Sequence, residues 1–114
     1  MDPFIQKIDE NINSGNVCVV NFSATWCGPC KQIAPKVIDL AKKYPTVNFF
    51  KVDVDDQSDF ADKYKIRSMP TFLVFSDGKL SGRVEGASIS RLESALKSAV
   101  GSQETAGTVQ MSGK

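Results

Sequence analysis

The fold is decided around Trp26-Cys27-Gly28-Pro29-Cys30-Lys31, a stretch that follows an apolar segment and opens a helical one. Two cysteines separated by two residues can form a disulfide when the first turn of a helix begins between them. Pro29 suits a helix start, because it lacks an N–H that would have no partner there and its φ is already helical. Cys27 therefore lies at a helix N-terminus, where free N–H groups and the helix dipole favour a thiolate. Since the thiolate is the nucleophile of thiol–disulfide exchange, the motif indicates a redox enzyme.

A metal site and a purely structural disulfide are the alternatives for this cysteine pair. Structural zinc needs four ligands, commonly two Cys-x-x-Cys pairs or one pair with two histidines. The chain has three cysteines and no histidine, so it does not complete such a site by itself. A disulfide across so short a loop would add little to a domain that has its own core. We therefore predict redox chemistry and no metal.

Length and composition indicate one domain that binds neither nucleic acid nor a membrane surface. Of the 114 residues, 41% are hydrophobic, and the formal net charge is +1. This charge argues against electrostatic binding to nucleic acid or an anionic membrane surface. No apolar run approaches membrane-spanning length, and the N-terminus lacks the basic and apolar regions of a signal peptide. Few cysteines suit a reducing compartment, so a cytoplasmic location is expected.

Hydrophobic periodicity predicts alternating helices and strands. In chain order these are helix 3–13, strand 17–22, helix 29–44, strand 47–54, a short helix from residue 58, strands 71–75 and 80–85 joined by a turn at residues 77–78, and a helix from residue 90. Strands joined through helices are expected to pair in parallel, whereas the hairpin adds an antiparallel pair. The predicted fold class is α/β, a four-stranded mixed sheet with helices on both faces, preceded by an N-terminal helix.

The last part of the chain divides into a helix and a polar tail. Ser90 and Glu93 have the spacing of a capping box, and apolar residues then recur on one helical face as far as Val100. Residues 101–114 are rich in Ser, Gly, Thr and Gln, and such a segment buries too little apolar surface to offset its ordering entropy. We predict one domain over residues 1–100 and a flexible polar tail over residues 101–114.

Three motifs together closely resemble the thioredoxin family. They are Asn-Phe-Ser-Ala-Thr-Trp-Cys-Gly-Pro-Cys-Lys at residues 21–31, Met-Pro-Thr-Phe at residues 69–72, and Gly-Ala at residues 86–87. The resemblance extends over about residues 3–100 and implies a thioredoxin-like fold with protein disulfide reductase activity. In the implied mechanism, Cys27 is an exposed thiolate that attacks a target disulfide. Cys30, buried one turn deeper, then attacks Cys27 and releases the reduced target.

The resemblance also implies roles for residues around the cysteines. Gly28 and Pro29 match the reducing members of the family, whereas oxidising and isomerising relatives usually carry a histidine between the cysteines. Pro70 matches a cis proline that packs against the sulfurs and leaves the Met69 backbone free to pair with a substrate strand. The implied docking surface consists of Trp26, Gly28, Pro29, Met69, Gly86 and Ala87.

The implied partners are proteins with disulfides and an NADPH-dependent flavoprotein, thioredoxin reductase, which would recharge the cysteines. No bound cofactor is predicted. A disulfide oxidant or isomerase is a rival interpretation, and a binding module without catalysis is another. Asn21 is the only residue that favours the binding module.

Asn21 departs from the family pattern, because thioredoxins usually carry a buried aspartate at this position. That aspartate relays a proton for the second cysteine, and Lys51 matches its basic neighbour. Asparagine does not take up a proton at neutral pH, so the resolving step is expected to be slower here. The alternative interpretation is that Asn21 only satisfies buried polar groups.

The N-terminus departs from the family as well, because only Met1 and Asp2 precede the first helix and leave no room for the usual first strand. The sheet edge is then less protected, which favours dimer contacts, although a monomer is the primary prediction. Cys18 is predicted to be an inert core residue, with regulatory oxidation as the alternative. The aspartates at positions 53, 55 and 56 lack EF-hand spacing and are predicted to form a solvated loop.

Overall fold

The computed structural model describes residues 2–112 and the side chains of residues 2–101. Its elements are α1 (Pro3–Asn13), β1 (Cys18–Ser23), α2 (Gly28–Lys43), β2 (Asn48–Asp53), α3 (Ser58–Lys63), β3 (Thr71–Ser76), β4 (Lys79–Glu85) and α4 (Ile89–Ser112). The predicted order of helices and strands is confirmed. The end of the predicted tail, residues 113 and 114, lies outside the described residues.

The strands form one four-stranded sheet in the order β2-β1-β3-β4. β1 pairs in parallel with β2 and antiparallel with β3, and β3 pairs antiparallel with β4. The β3–β4 hairpin turns at Asp77 and Gly78, whose φ angles are 55° and 80°. Two successive positive φ angles suit the right-handed twist of the flanking strands, and Asp-Gly is a favoured pair for them. The predicted mixed sheet is therefore confirmed.

Helices cover both faces of the sheet. One layer of the core joins α1 and α3 to the sheet through Ile5, Ile8, Ile12, Phe22, Phe60 and Leu73. The other joins α2 and α4 to it through Val19, Ile33, Leu40, Phe72, Leu92 and Leu96. The central strands β1 and β3 are apolar along most of their length because both of their faces are buried. This packing places the end of β1 directly before the start of α2, where the paired cysteines lie.

Helix α4 differs from the sequence prediction at both ends. It begins at Ile89, and its cap is Ser88 rather than Ser90, since the Ser88 hydroxyl accepts a hydrogen bond from the Arg91 N–H at 3.3 Å. Glu93 does not complete a capping box. Its carboxylate instead accepts from the Tyr44 hydroxyl at 3.1 Å and pairs with Lys43, and this pairing lowers its pKa.

The backbone of α4 remains helical to Ser112, beyond the predicted end near residue 100. Extending an existing helix is less costly than nucleating a new one, which is a physical reason for the longer helix. The flexibility of residues 101–114 stays a prediction. Within residues 2–112, no helix combines the length and the apolar character needed to cross a membrane.

Candidate active site

The paired cysteines lie at the first turn of α2. Cys27 is the N-cap residue, with extended backbone angles of φ −87° and ψ 111°. Its sulfur accepts a hydrogen bond from the N–H of Cys30 at 3.2 Å. The two cysteines form a disulfide with their Cα atoms 5.3 Å apart, within the usual range for such bonds. The first helical turn thus brings the two sulfurs together, as the motif predicted.

Both cysteines are buried in the disulfide form. Cys27 was expected to be exposed and Cys30 to be buried, but in the disulfide both are buried, with 4% and 8% of their surface exposed. The sulfur of Cys27 is bonded to the sulfur of Cys30 and lies 3.6 Å from the carbonyl oxygen of Met69. Ala24, Val54 and Met69 surround the pair. The predicted exposure concerns the reduced thiolate and stays a prediction. In the disulfide, contacts from other parts of the chain cover the Cys27 sulfur.

A second loop contacts the disulfide through Met69. Its Met69–Pro70 peptide bond is cis, as the resemblance implied, and Pro70 is buried. The Pro70 carbonyl accepts a hydrogen bond from the Gly86 N–H at 2.8 Å. The Thr71 hydroxyl donates to the Ser68 carbonyl at 2.6 Å. Hydrogen bonds on both sides of the cis peptide thus fix the segment whose carbonyl contacts the disulfide.

The Thr71 hydroxyl gives a first testable prediction. Thr71 is fully buried, so Thr71→Val keeps the shape of the side chain but leaves the Ser68 carbonyl without this donor. Because Ser68 is exposed, we expect a loss of about 0.5–1.5 kcal/mol in the free energy of unfolding, the usual net contribution of one hydrogen bond, measured by urea denaturation. Thr46→Val, at an exposed turn, is the matched control. An equal effect of both substitutions would contradict the prediction.

The residues of the expected docking surface lie around the disulfide. Trp26 is 65% exposed, Gly28, Pro29 and Ala87 are also exposed, and Met69 and Gly86 are half-buried. The indole N–H of Trp26 donates to the carboxylate of Asp55 at 2.9 Å, a contact that sequence reasoning missed. The two residues are 29 positions apart, so no local pattern in the sequence could have indicated the contact.

Asn21 and Lys51 lie behind the disulfide on neighbouring strands. They are register partners in the β1–β2 ladder, and Lys51 is exposed. Both line a cavity of about 190 Å³ that also reaches Cys30. The side-chain oxygen of Asn21 is buried and receives no hydrogen bond from the described residues. This gives no support to the interpretation that Asn21 only satisfies buried polar groups, and the amide lines the same cavity as Cys30.

The third cysteine is separate from this site. Cys18 is fully buried in β1, is not part of a disulfide, and packs in the core below α1. Burial raises the pKa of its thiol, which disfavours the reactive thiolate. Among residues 2–101, His, Cys, Asp and Glu side chains form no group of three or more that could hold a metal ion.

Comparison with known proteins places this geometry in a family. The thioredoxin family model matches residues 3–98. The H-type thioredoxin of Fagopyrum esculentum is 48% identical over 82 residues, which cover 72% of this chain and 71% of that protein. Thioredoxin Asp f 28 of Aspergillus fumigatus is 45% identical over 98 residues, which cover 85% of this chain and 88% of that protein.

Solved structures give the same result. Reduced Schistosoma mansoni thioredoxin superimposes with a TM-score of 0.79 at 43% identity, covering 86% of this chain and 91% of that one. The oxidised mitochondrial thioredoxin 3 of Saccharomyces cerevisiae gives a TM-score of 0.78 at 38% identity, covering 82% and 89%. The family model covers the paired cysteines and the cis-proline loop, and these relatives each cover between 72% and 86% of the chain. The chain therefore belongs to the thioredoxin family and is a thiol–disulfide oxidoreductase.

Proposed function

We propose that this oxidoreductase is a net reductant of protein disulfides, with Cys27 as the nucleophile and Cys30 as the resolving thiol. The observation that carries the proposal is the position of Cys27 as N-cap of α2, with the Cys30 N–H directed at its sulfur at 3.2 Å. In the reduced protein the same N–H and the positive end of the helix dipole stabilise a thiolate on Cys27. Gly28 and Pro29 occupy the positions where oxidising members of the family usually carry a histidine. The chain has no histidine, so nothing of that kind favours the function of an oxidant.

The reaction proceeds in two exchange steps. The Cys27 thiolate attacks one sulfur of the target disulfide, so that the target S–S bond breaks, a mixed disulfide forms and the released target sulfur takes a proton. Cys30 then loses its proton and attacks the Cys27 sulfur, which expels the second target sulfur as a thiol. Two electrons pass to the target, and the Cys27–Cys30 disulfide is left. The Cα separation of 5.3 Å allows this closure without a change of fold.

The proposed docking surface suits many protein substrates. The Met69 carbonyl lies beside the Cys27 sulfur, where an extended substrate segment can form main-chain hydrogen bonds. Exposed Trp26 and Pro29 provide an apolar border close to it. Because main-chain pairing reads little of a partner's sequence, the surface supports broad rather than narrow selection. Asn21 and Lys51 are proposed to influence the resolving cysteine from behind through the shared cavity.

An NADPH-dependent flavoprotein, thioredoxin reductase, is the proposed source of electrons. The test combines this chain with insulin, NADPH and a thioredoxin reductase, and measures NADPH consumption. We expect NADPH to be consumed only when all components are present, because the reductase reaches insulin disulfides through Cys27 and Cys30. Insulin reduction with dithiothreitol, but none with NADPH and reductase, would contradict this electron source.

Two further measurements distinguish the rival functions. Equilibration with glutathione would identify a disulfide oxidant, and partner binding without turnover would favour a binding module.

The proposed setting is cytoplasmic redox homeostasis and electron transport, with the monomer as the active unit. A net charge of +1 and a free buried thiol suit a reducing, soluble environment. The structurally similar yeast protein is described as mitochondrial. Fractionation of cells expressing the tagged chain would test the cytoplasmic location, and recovery in an organelle fraction would contradict it.

A further inference from the structure

Strand β2 is an edge of the sheet, and its outer side pairs with no other strand in residues 2–112. In a parallel ladder, alternate residues direct their main-chain groups toward the neighbouring strand. The Asn48 and Val54 N–H groups donate to carbonyls at the two ends of β1, at 3.1 and 2.9 Å. The main-chain N–H and C=O groups of the even-numbered residues of β2 therefore point toward β1. The N–H and C=O groups of Phe49 and Lys51 point outward.

Apolar side chains lie on both faces beside these outward groups. Phe4 of α1 is 38% exposed and stands edge-on to Phe50, with the ring centroids 6.3 Å apart. On the opposite face, Ile38 of α2 is 56% exposed and borders the 190 Å³ cavity together with Phe49. Among the described side chains the exposed large hydrophobic residues are Phe4, Trp26, Ile38 and Leu80, and two of these flank β2. We call Phe4, Ile38, Phe49, Phe50 and Lys51 the β2 surface.

The opposite edge of the sheet, β4, is protected in ways that β2 is not. A register irregularity interrupts its ladder with β3 between Val74 and Phe75. β4 also carries the charged residues Lys79, Arg83 and Glu85. Bulges and charges are the usual features that prevent one edge strand from pairing with another. On β2 the outward main-chain groups belong to Phe49, Lys51 and Asp53, and the ladder of β2 with β1 has no such irregularity.

We propose that the β2 surface binds the β2 surface of a second copy of this chain, in antiparallel pairing about a two-fold axis at Phe50. In this register Phe49 lies opposite Lys51 of the other copy, so each outward N–H meets an outward C=O. Phe50 lies opposite Phe50 of the other copy, at the close position where aromatic pairs interact. Phe4 from each copy then borders the aromatic pair.

Charge and hydrogen bonding disfavour the two registers in which the axis moves toward the C-terminal end of β2. A shift of the axis to Lys51 would place the two lysines directly opposite each other, and like charges at that position are destabilising. A shift to Val52 would require the Asp53 carbonyl, which already accepts a hydrogen bond from the Gln57 N–H at 2.9 Å. With the axis at Phe50, each lysine side chain lies against the Phe49 ring of the other copy. The self-complementary register is what identifies a second copy as the partner.

The pairing involves few residues, so we expect a weak equilibrium between monomer and dimer. It uses neither sulfur of the disulfide, and its failure would leave the proposed reductase function intact. The first test is amide hydrogen exchange by NMR, with dithiothreitol present, at low and high protein concentration. We expect the outward amides of Phe49 and Lys51 to exchange rapidly at low concentration and several-fold more slowly at high concentration. The inward amides of Phe50 and Val52 are protected at both concentrations and serve as internal controls.

The second test compares two matched substitutions by sedimentation. Ile38→Lys places a charge on the β2 surface, whereas Leu80→Lys makes the same change in β4, where Leu80 is 47% exposed. We expect Ile38→Lys to raise the dimer dissociation constant about tenfold or more and Leu80→Lys to leave it unchanged. The proposal is overturned by concentration-independent exchange at Phe49 and Lys51, by a stronger effect of Leu80→Lys, or by a dimer that disappears on reduction.

Discussion

Replacing Cys27 with serine is expected to reduce insulin turnover to the background rate of dithiothreitol alone. A serine hydroxyl is not ionised at neutral pH, so the helix N-terminus then has no thiolate to stabilise. Replacing Cys30 with serine is also expected to stop turnover, but one step later. Cys27 still attacks the target, and no second thiol then releases it. Mass spectrometry would detect the mixed disulfide in Cys30→Ser and no adduct in Cys27→Ser.

Cys18→Ser is the matched control for these two substitutions. Cys18 lies in the core and outside the disulfide, so the variant should retain its turnover wherever circular dichroism shows that it is folded. An adduct of equal yield in Cys27→Ser would show that another sulfur attacks the target. That outcome would remove Cys27 from the role proposed for it.

Replacing Asn21 with aspartate is expected to accelerate release of the target from the mixed disulfide. Asn21 and Cys30 line the same cavity, and the buried amide oxygen receives no hydrogen bond from the described residues. A carboxylate there can accept the proton that Cys30 must lose, and help of this kind is typically worth about 10²–10⁴-fold. We expect about a hundredfold in the resolving step, measured by stopped-flow fluorescence of Trp26.

The dependence on pH separates this effect from a merely structural one. Burial raises the pKa of a carboxyl group above its unfolded value. Asn21→Asp should therefore keep its full stability at low pH and lose stability as the pH rises through the folded pKa, where the acceleration should also appear. Asn21→Ala, which removes the amide without adding a base, is the control. Equal or slower release in Asn21→Asp across the pH range would refute the handicap proposed for asparagine.

Part of the site could be predicted from sequence because it depends on local geometry. The cysteine spacing and Pro29 determine a helix start that joins the two sulfurs, and this is observed. The prediction that Ser90 caps α4 was wrong, although a helix cap is also a local feature. Ser88 and Ser90 are both suitable cap residues. Ser88 is the one that accepts a hydrogen bond from the Arg91 N–H, and Glu93 contacts Tyr44 and Lys43 instead of completing a capping box.

Contacts between distant segments were outside the reach of the sequence pattern. Met69, which covers the Cys27 sulfur, lies 42 positions from Cys27 in the sequence. Trp26 and Asp55, which share a hydrogen bond, are 29 positions apart. Neither contact leaves a periodic signal, because each depends on how two loops meet at one end of the sheet. The burial of Cys27 in the disulfide arises from the same meeting of loops.

The sequence by itself determined the order of helices and strands, the mixed sheet and the redox-active cysteine pair. Each of these follows from hydrophobic periodicity or from the conformational preferences of a few adjacent residues. Only the tertiary structure decided which side chains cover the disulfide, which cavity Asn21 shares with Cys30, and which main-chain groups of β2 point outward. These features arise from the packing of elements far apart in the chain, where several arrangements satisfy the same local preferences and the buried contacts select one.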